Sequence, residues 1–263
     1  MTNSSFREAL ADICLSMSLW RVWMALAHED IGDQHRRTTL GPLWLLINYL
    51  IYVGTFLFLF HRGPGAAEYA AHAATGLLVY FYIMETLMQS ITLFVREEAF
   101  IKGTRLPLPV YVMRLMLQSL IRNAYALVGC LLILAVSGTS FTSMWAGSLL
   151  GIAVLIITAP AAIMVFAFLG AYFPDSQYLV SNLLRIGMFL TPIFWTHDSA
   201  HGVRAIFYWY DPFTYFIEIV RIPITSGDMP WRSLALCCVM SAGLWVLALT
   251  LFTRLRKEVV FVL

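Results

Sequence analysis

The chain has 263 residues, 60% hydrophobic and only 12% charged, with a formal net charge of +2 and a mean hydropathy of +0.77. Soluble domains are about 45–50% apolar and about 25% charged, so this composition excludes a water-soluble fold and points to a bilayer, where apolar windows of about 20 residues belong. Lys and Arg are scattered in small groups with no basic tail, which gives no sign of a nucleic-acid partner.

The N-terminal stretch carries Arg7, Glu8 and Asp12 where a cleavable signal needs an unbroken apolar region, so the first span is expected to insert and stay. Residues 6–28 place Phe6, Leu10, Ile13, Met17, Trp20 and Met24 at helical spacing, with Arg7, Asp12 and Arg21 elsewhere. That pattern suits a helix lying in the membrane interface, or a short helix packed on a neighbouring subunit. A polar segment with Arg36 and Arg37 leads into the first expected span, about 42–60. Further spans are expected at about 73–95, 115–137, 144–172, 178–195 and 231–253, and the chain ends "TRLRKEVVFVL". Between the last two, residues 203–224 are broken by Arg204, Asp211, Pro212, Glu218, Arg221 and Pro223, which fits re-entrant half-helices on the outer side. Glu218 and Arg221, three apart, are placed to pair on one helix face.

The expected fold is therefore all-α: a single polytopic membrane domain of six spans over 42–253. An interfacial N-terminal region, 1–41, precedes it and a short tail, 254–263, follows. Lys and Arg favour cytoplasmic loops. Arg7, Arg21, Arg36 and Arg37, then Arg96, Lys102 and Arg105 with Arg114 and Arg122 nearby, then Arg254, Arg256 and Lys257 gather on one side, against Arg62 and Arg204, with Arg221 and Arg232 as further candidates, on the other. Both termini are thus expected in the cytoplasm.

One stretch interrupts the apolar pattern: "REEAFIKGTRLPLPVYVMR", Arg96 to Arg114. Glu97, Glu98, Phe100, Ile101 and Lys102 suit a short amphipathic helix, with Gly103 as a left-handed end and Pro107 and Pro109 fixing an extended turn. Such a helix, with Phe100 and Ile101 exposed, either docks in a partner's groove or is an ordinary loop with one helical turn.

The aromatics cluster. Trp44, Tyr49, Tyr52, Phe56, Phe58 and Phe60 lie in the first span, and Tyr80, Phe81 and Tyr82 in the second. An interfacial belt accounts for such residues at span ends. Mid-span Tyr49 and Tyr52 also suit a wall for sugars, whose apolar C–H faces stack on aromatic rings. Glu85 sits inside the second span, either facing a wet lumen or paired, with Arg185 a candidate. The cysteines, Cys14, Cys130, Cys237 and Cys238, have no metal-ligand spacing and read as small core residues. His197, Asp198 and His201 have no further ligand nearby, and no metal is expected.

Four stretches in order carry a resemblance. "EEAFIKGTRLPLPVYVMRLMLQSLIRN", "HRRTTLGPLW", "FLTPIFW" and "YDPFTYFIEIVR" are similar to segments of polysaccharide-exporting ABC transporter permeases, across about 36–221. The chain departs from that pattern at Asp211-Pro212, where Asn-Pro is typical, and at Pro174-Asp175, where Arg-Asp is common.

The resemblance implies a homodimer of permeases with two nucleotide-binding ATPase subunits. The chain has no Walker A sequence, so ATP and Mg are expected on the partner, with no cofactor and no enzymatic activity here. It also implies that Glu97, Glu98, Phe100, Ile101 and Lys102 couple to the ATPase. Trp44, Tyr49, Tyr52, Phe56 and Tyr80 would line a glycan channel, and Arg36 and Arg37 would meet the head group of a lipid-linked O-antigen, capsule or teichoic-type polymer. Rival readings are an exporter of a drug or small lipid, an intramembrane transferase or hydrolase, and a structural membrane partner.

Overall fold

The structure is a computed structural model that describes residues 3–60, 65–104, 106–195 and 202–262. His61, Arg62, Arg105, His197, Asp198 and His201, and the side chains of Phe6, Phe60 and Arg204, lie outside the described residues.

Every described element is a helix. That is what a chain this apolar requires, since a helix satisfies its own backbone without water. The N-terminal region forms α1 (Asn3–Ser18) and α2 (Trp20–His35), bent by 63°. The single helix expected over 6–28 is thus two. Leu19 leaves the helical path, and the Trp23 indole N–H donates to the Ser16 carbonyl at 3.2 Å across the bend. Leu10, Met17, Trp20 and Met24 stay exposed, while Ala9, Ser16, Ala27 and Ile31 turn inward. This is the two-faced character that the spacing predicts.

Then follow α3 (Leu43–Phe60), α4 (Ala66–Ile91), the short α5 (Leu93–Arg96) and α6 (Glu98–Gly103), α7 (Pro109–Val136) and α8 (Trp145–Tyr172). The chain closes with α9 (Ser176–Leu190), α10 (Val203–Tyr210), α11 (Pro212–Thr225), α12 (Trp231–Leu255) and α13 (Val259–Val262). Among the described helices, α7, α8 and α12 are long and apolar enough to cross a membrane, and the bent α1–α2 pair adds a fourth if it is one span. The protein is a multi-pass membrane protein. The expected spans at 42–60 and 178–195 correspond to shorter helices of 18 and 15 residues.

Helix α4 packs on α7 and α8, and α11 lies among α4, α8 and α12. α2 and α3 lean on α7, and α9 on α4. Small residues allow the close crossings, as membrane helices require. A Cβ on Gly151 of α8 would meet the Ile219 carbonyl of α11 at 2.5 Å, and the neighbouring Ser148 hydroxyl donates to the Val220 carbonyl at 2.8 Å. Gly170, near the other end of α8, lies directly against the Ile91 carbonyl at the end of α4. Within α8, Pro160 removes one helical hydrogen bond; one turn back, the Ile157 carbonyl accepts the Trp245 indole N–H of α12 at 3.0 Å.

At the end of the molecule holding α10 and α11, the buried charges among the described residues are engaged. Asp211 caps α11 by accepting from the Phe213 N–H at 3.0 Å, with Pro212 at the first helical position, and also accepts the Thr191 hydroxyl at 2.6 Å. Glu218 and Arg221 do not form the expected pair. Glu218 accepts from the Tyr208 hydroxyl and from the Ser233 hydroxyl at 2.5 Å, and Arg221 donates to the Pro192 carbonyl at 2.7 Å and contacts His72.

Candidate functional site

Two polar constellations stand apart from this engaged end. The first gathers where α1 and α2 meet α7, the segment before α6 and the residues after α12. Helix α7 presents Arg114, Gln118 and Arg122 at four-residue spacing, one face of a helix. Along α2, Asp30 and Gln34 face them. The Arg114 guanidinium grips Asp30 through two hydrogen bonds of 2.6 and 2.7 Å, and Gln118 donates to the same carboxylate. The third nitrogen of the Arg114 guanidinium, Nη1, donates to Glu97, immediately before α6, at 2.9 Å. One guanidinium, its side chain 13% exposed, therefore ties the N-terminal helix to the α6 segment. A fork of this kind suits Arg and not Lys. At the other end of the N-terminal region, Arg256 donates to Glu8 at 2.5 Å and to Asp12, and Lys257 lies 3.0 Å from Glu8. The Lys257 hydrogen bond, with Arg256 beside it, holds the Glu8 carboxyl below its ordinary value.

Helix α6 differs from its sequence-based picture in four respects. Phe100 is 46% exposed, but Ile101 is only 8% exposed and packs into the core, so the pair is not two outward anchors. Ile101 also lines a cavity of about 490 Å³ with Glu8, Asp12, Leu106, Phe252 and Arg256. Glu97 also faces inward, held by Arg114, while Glu98 and Lys102 form an exposed pair at 2.7 Å. Gly103 is not a left-handed cap: the helix ends at extended Thr104, whose hydroxyl takes the Phe100 carbonyl at 2.8 Å. Pro107–Pro109 is not extended but a tight turn opening α7, with the Val110 N–H donating to the Pro107 carbonyl at 3.0 Å.

The second constellation is an open groove of about 770 Å³ walled by α3, α4 and α9 with α7 at its floor. Tyr52, 55% exposed, stands on one wall with its ring 5.5 Å from that of Phe81 in an edge contact, and Phe189 and Met188 stand on another. Asn48 and Gln89 supply amides. Glu85 opens onto the groove and lies 2.6 Å from the Arg122 Nε. Its partner is therefore Arg122, not the expected Arg185, which lines the groove separately with no described partner.

The other expected channel aromatics are dispersed. Tyr49 lines the groove by its ring edge but is 3% exposed, and its hydroxyl donates to the Ala74 carbonyl at 2.7 Å. Tyr80 is wholly buried and donates to the Leu184 carbonyl at 2.5 Å, so it is a tether for α9 and not a wall. Phe56 stacks on Phe194 at 4.3 Å, and Trp44 is half-exposed beyond the groove. Arg36 and Arg37 are exposed at the end of α2, Arg36 only 3.8 Å from Asp33. Sequence reading missed Arg122 as the groove's paired cation. The available signal was that Glu85 and Arg122 are each the lone acidic or basic side chain of their apolar runs.

A family model described as ABC-2 type transporter matches residues 21–225. Two curated relatives from Klebsiella pneumoniae, both named O-antigen export system permease protein RfbA, are similar over 242 residues, at 21% and 20% identity. In each case the match covers 90% of this chain and 93% of the relative.

Proposed function

The chain belongs to the ABC-2 type transporter family, and from that premise we propose that it is the membrane subunit of an exporter for a lipid-linked polysaccharide. The polymer is of the O-antigen, capsule or teichoic type, and ATP hydrolysis occurs on a separate nucleotide-binding subunit. The observation that carries the reading is the groove. It sets aromatic rings, amides and charged side chains among apolar ones along one groove, where a purely lipid-facing surface needs no charge. Weak stacking at many points is what a sliding glycan needs. The names of the two relatives agree with that substrate class.

In this reading the chain makes six passes, with α3 and α9 tilting little or spanning a locally thin bilayer and α10–α11 re-entering from outside. Both termini lie in the cytoplasm of an inner-membrane protein. Two copies face each other so that their grooves form one channel, and two ATPase subunits dock below. Helix α6 is the coupling element. Phe100 is its apolar anchor and the Glu98–Lys102 pair its rim, while Glu97 and Ile101 fasten it to the permease. Movement of α6 reaches α2 through Arg114. Arg36 and Arg37 meet the phosphate-bearing head group at the membrane surface.

The test is cellular. Cells lacking this chain are expected to accumulate lipid-linked glycan inside and to lose it from the surface. Wild type restores export, and Phe100→Ala inserts normally but does not. Ile101 is left intact because its loss would disturb packing. Normal surface glycan in the deletion strain would remove the polysaccharide reading in favour of a drug or small-lipid exporter.

A further inference from the structure

The groove holds one carboxylate and two guanidinium groups, and they do not cancel. Arg122 is 5% exposed and its Nε lies 2.6 Å from Glu85 in an ion pair out of line for a hydrogen bond, so its buried Nε and Nη2 both lack a hydrogen-bond partner. Its Nη1 reaches Gln34 only at 3.5 Å. On the facing wall Arg185 is exposed to the groove, and its guanidinium has no described partner. The rest of α9 is a poor place for a bare cation, since Leu183, Ile186, Phe189 and Leu190 are all exposed apolar residues. A charged side chain at such a depth costs a few kcal/mol unless water or an opposite charge covers it. Gln89 adds a donor: its amide oxygen is taken by Arg96 at 2.8 Å, which leaves the NH₂ to face the groove.

We propose that Arg185, with the Glu85-anchored Arg122 opposite, forms a seat for a phosphate-type anion, and that its occupant is the phosphate linkage joining the glycan to its lipid. The assignment rests on the polysaccharide-export reading. Guanidinium forks match phosphate oxygens in pairs, and a surplus of one positive charge in a groove with apolar walls favours an anion over a neutral sugar. The volume of about 770 Å³ is that of a site for a diphosphate with its first sugar. Arg122 is eight residues beyond Arg114 on α7, roughly 12 Å along the helix, so the seat lies about two turns above the charged end. The methionines beside it, Met84, Met88 and Met188, supply adaptable apolar surface for the adjoining lipid. Arg36 and Arg37 then act as a first encounter at the surface and the groove as the place of capture.

The experiment uses the permease with its ATPase subunit in nanodiscs of phosphatidylcholine, with binding read by thermophoresis. Three probes are used: a polyprenyl diphosphate, the corresponding polyprenol, and inorganic pyrophosphate. Wild type is expected to bind the lipid diphosphate, Arg185→Gln at least tenfold more weakly, and Arg185→Lys, which keeps the charge but loses the fork, between the two. The polyprenol should bind all three alike. A monodisperse gel-filtration profile for Arg185→Gln excludes misfolding. Equal binding of the lipid diphosphate by wild type and Arg185→Gln would overturn the seat while leaving polysaccharide export standing. Wild type that does not bind the lipid diphosphate would overturn both. Pyrophosphate that binds wild type as tightly as the lipid diphosphate would overturn the lipid assignment and identify a free anion as the occupant.

Discussion

Arg114 and Arg185 are the same side chain in two settings. Arg114 spends its donors on Asp30 and Glu97 and fixes three segments in one geometry. Arg185 has no described partner and faces an open groove. In the proposed reading the saturated cation belongs to the frame that carries movement from α6 to α2, and the unsaturated one to the surface where cargo passes. A buried polar network that is complete stiffens a structure, whereas an exposed guanidinium keeps its donors free for an anion.

The contrast breaks most clearly at Arg114. Arg114→Met leaves two poorly hydrated carboxylates without their cation, a change that typically costs about 3–5 kcal/mol. Denaturant unfolding in detergent is expected to show a loss of that size, and a double-mutant cycle with Asp30→Ala to show strong coupling. Arg185→Met should change stability by no more than about 0.5 kcal/mol. Equal losses at the two sites would erase the distinction. A second test strikes the joint between the regions, where α4 ends and α8 crosses it. Gly170→Ala puts a methyl group against the Ile91 carbonyl, and the expected cost is about 1–3 kcal/mol, read as a lower melting temperature. A third sharpens the frame at its outer fastening. Glu8 is held below its ordinary value by Lys257 and Arg256, so its contribution is present above the unfolded value of about 4.3 and fades as pH falls through the lower folded value. The melting temperature should therefore drop over that acid window in wild type, and Glu8→Gln should lack this part of the drop. Among the ion pairs the smallest effect belongs to the exposed Glu98–Lys102 pair, where Lys102→Ala is expected to cost at most about 1 kcal/mol, measured by the same unfolding curves.

Much of the frame was legible before any coordinates. The runs at 144–172 and 231–253 correspond to α8 and α12 within one or two residues, because long apolar stretches with clear polar breaks admit little else. The third run starts six residues early, at Pro109 where 115 was expected, since Arg114 reads as a loop charge until Asp30 and Glu97 neutralise it. Ile101 was not legible as buried: a six-residue helix is too short for its period to show which side faces the core. The aromatics mislead for a related reason. Composition places Tyr80 and Tyr52 in the same class, and only the tertiary partner Leu184 takes one hydroxyl and leaves the other ring free. The charge pair Glu85–Arg122 was readable in principle, since two lone opposite charges in apolar runs have few other places to go.

The central claim is that this chain moves a lipid-linked polysaccharide under the drive of a partner ATPase acting through α6. The direct measurement is translocation in proteoliposomes holding the permease and its ATPase subunit, with lipid-linked polysaccharide loaded on one face and detected on the other by an impermeant lectin. The expected result is ATP-dependent transfer by wild type and none by Phe100→Ala, whose fold and ATPase subunit are intact. Transfer that needs no ATP, or that proceeds unchanged in Phe100→Ala, would contradict it.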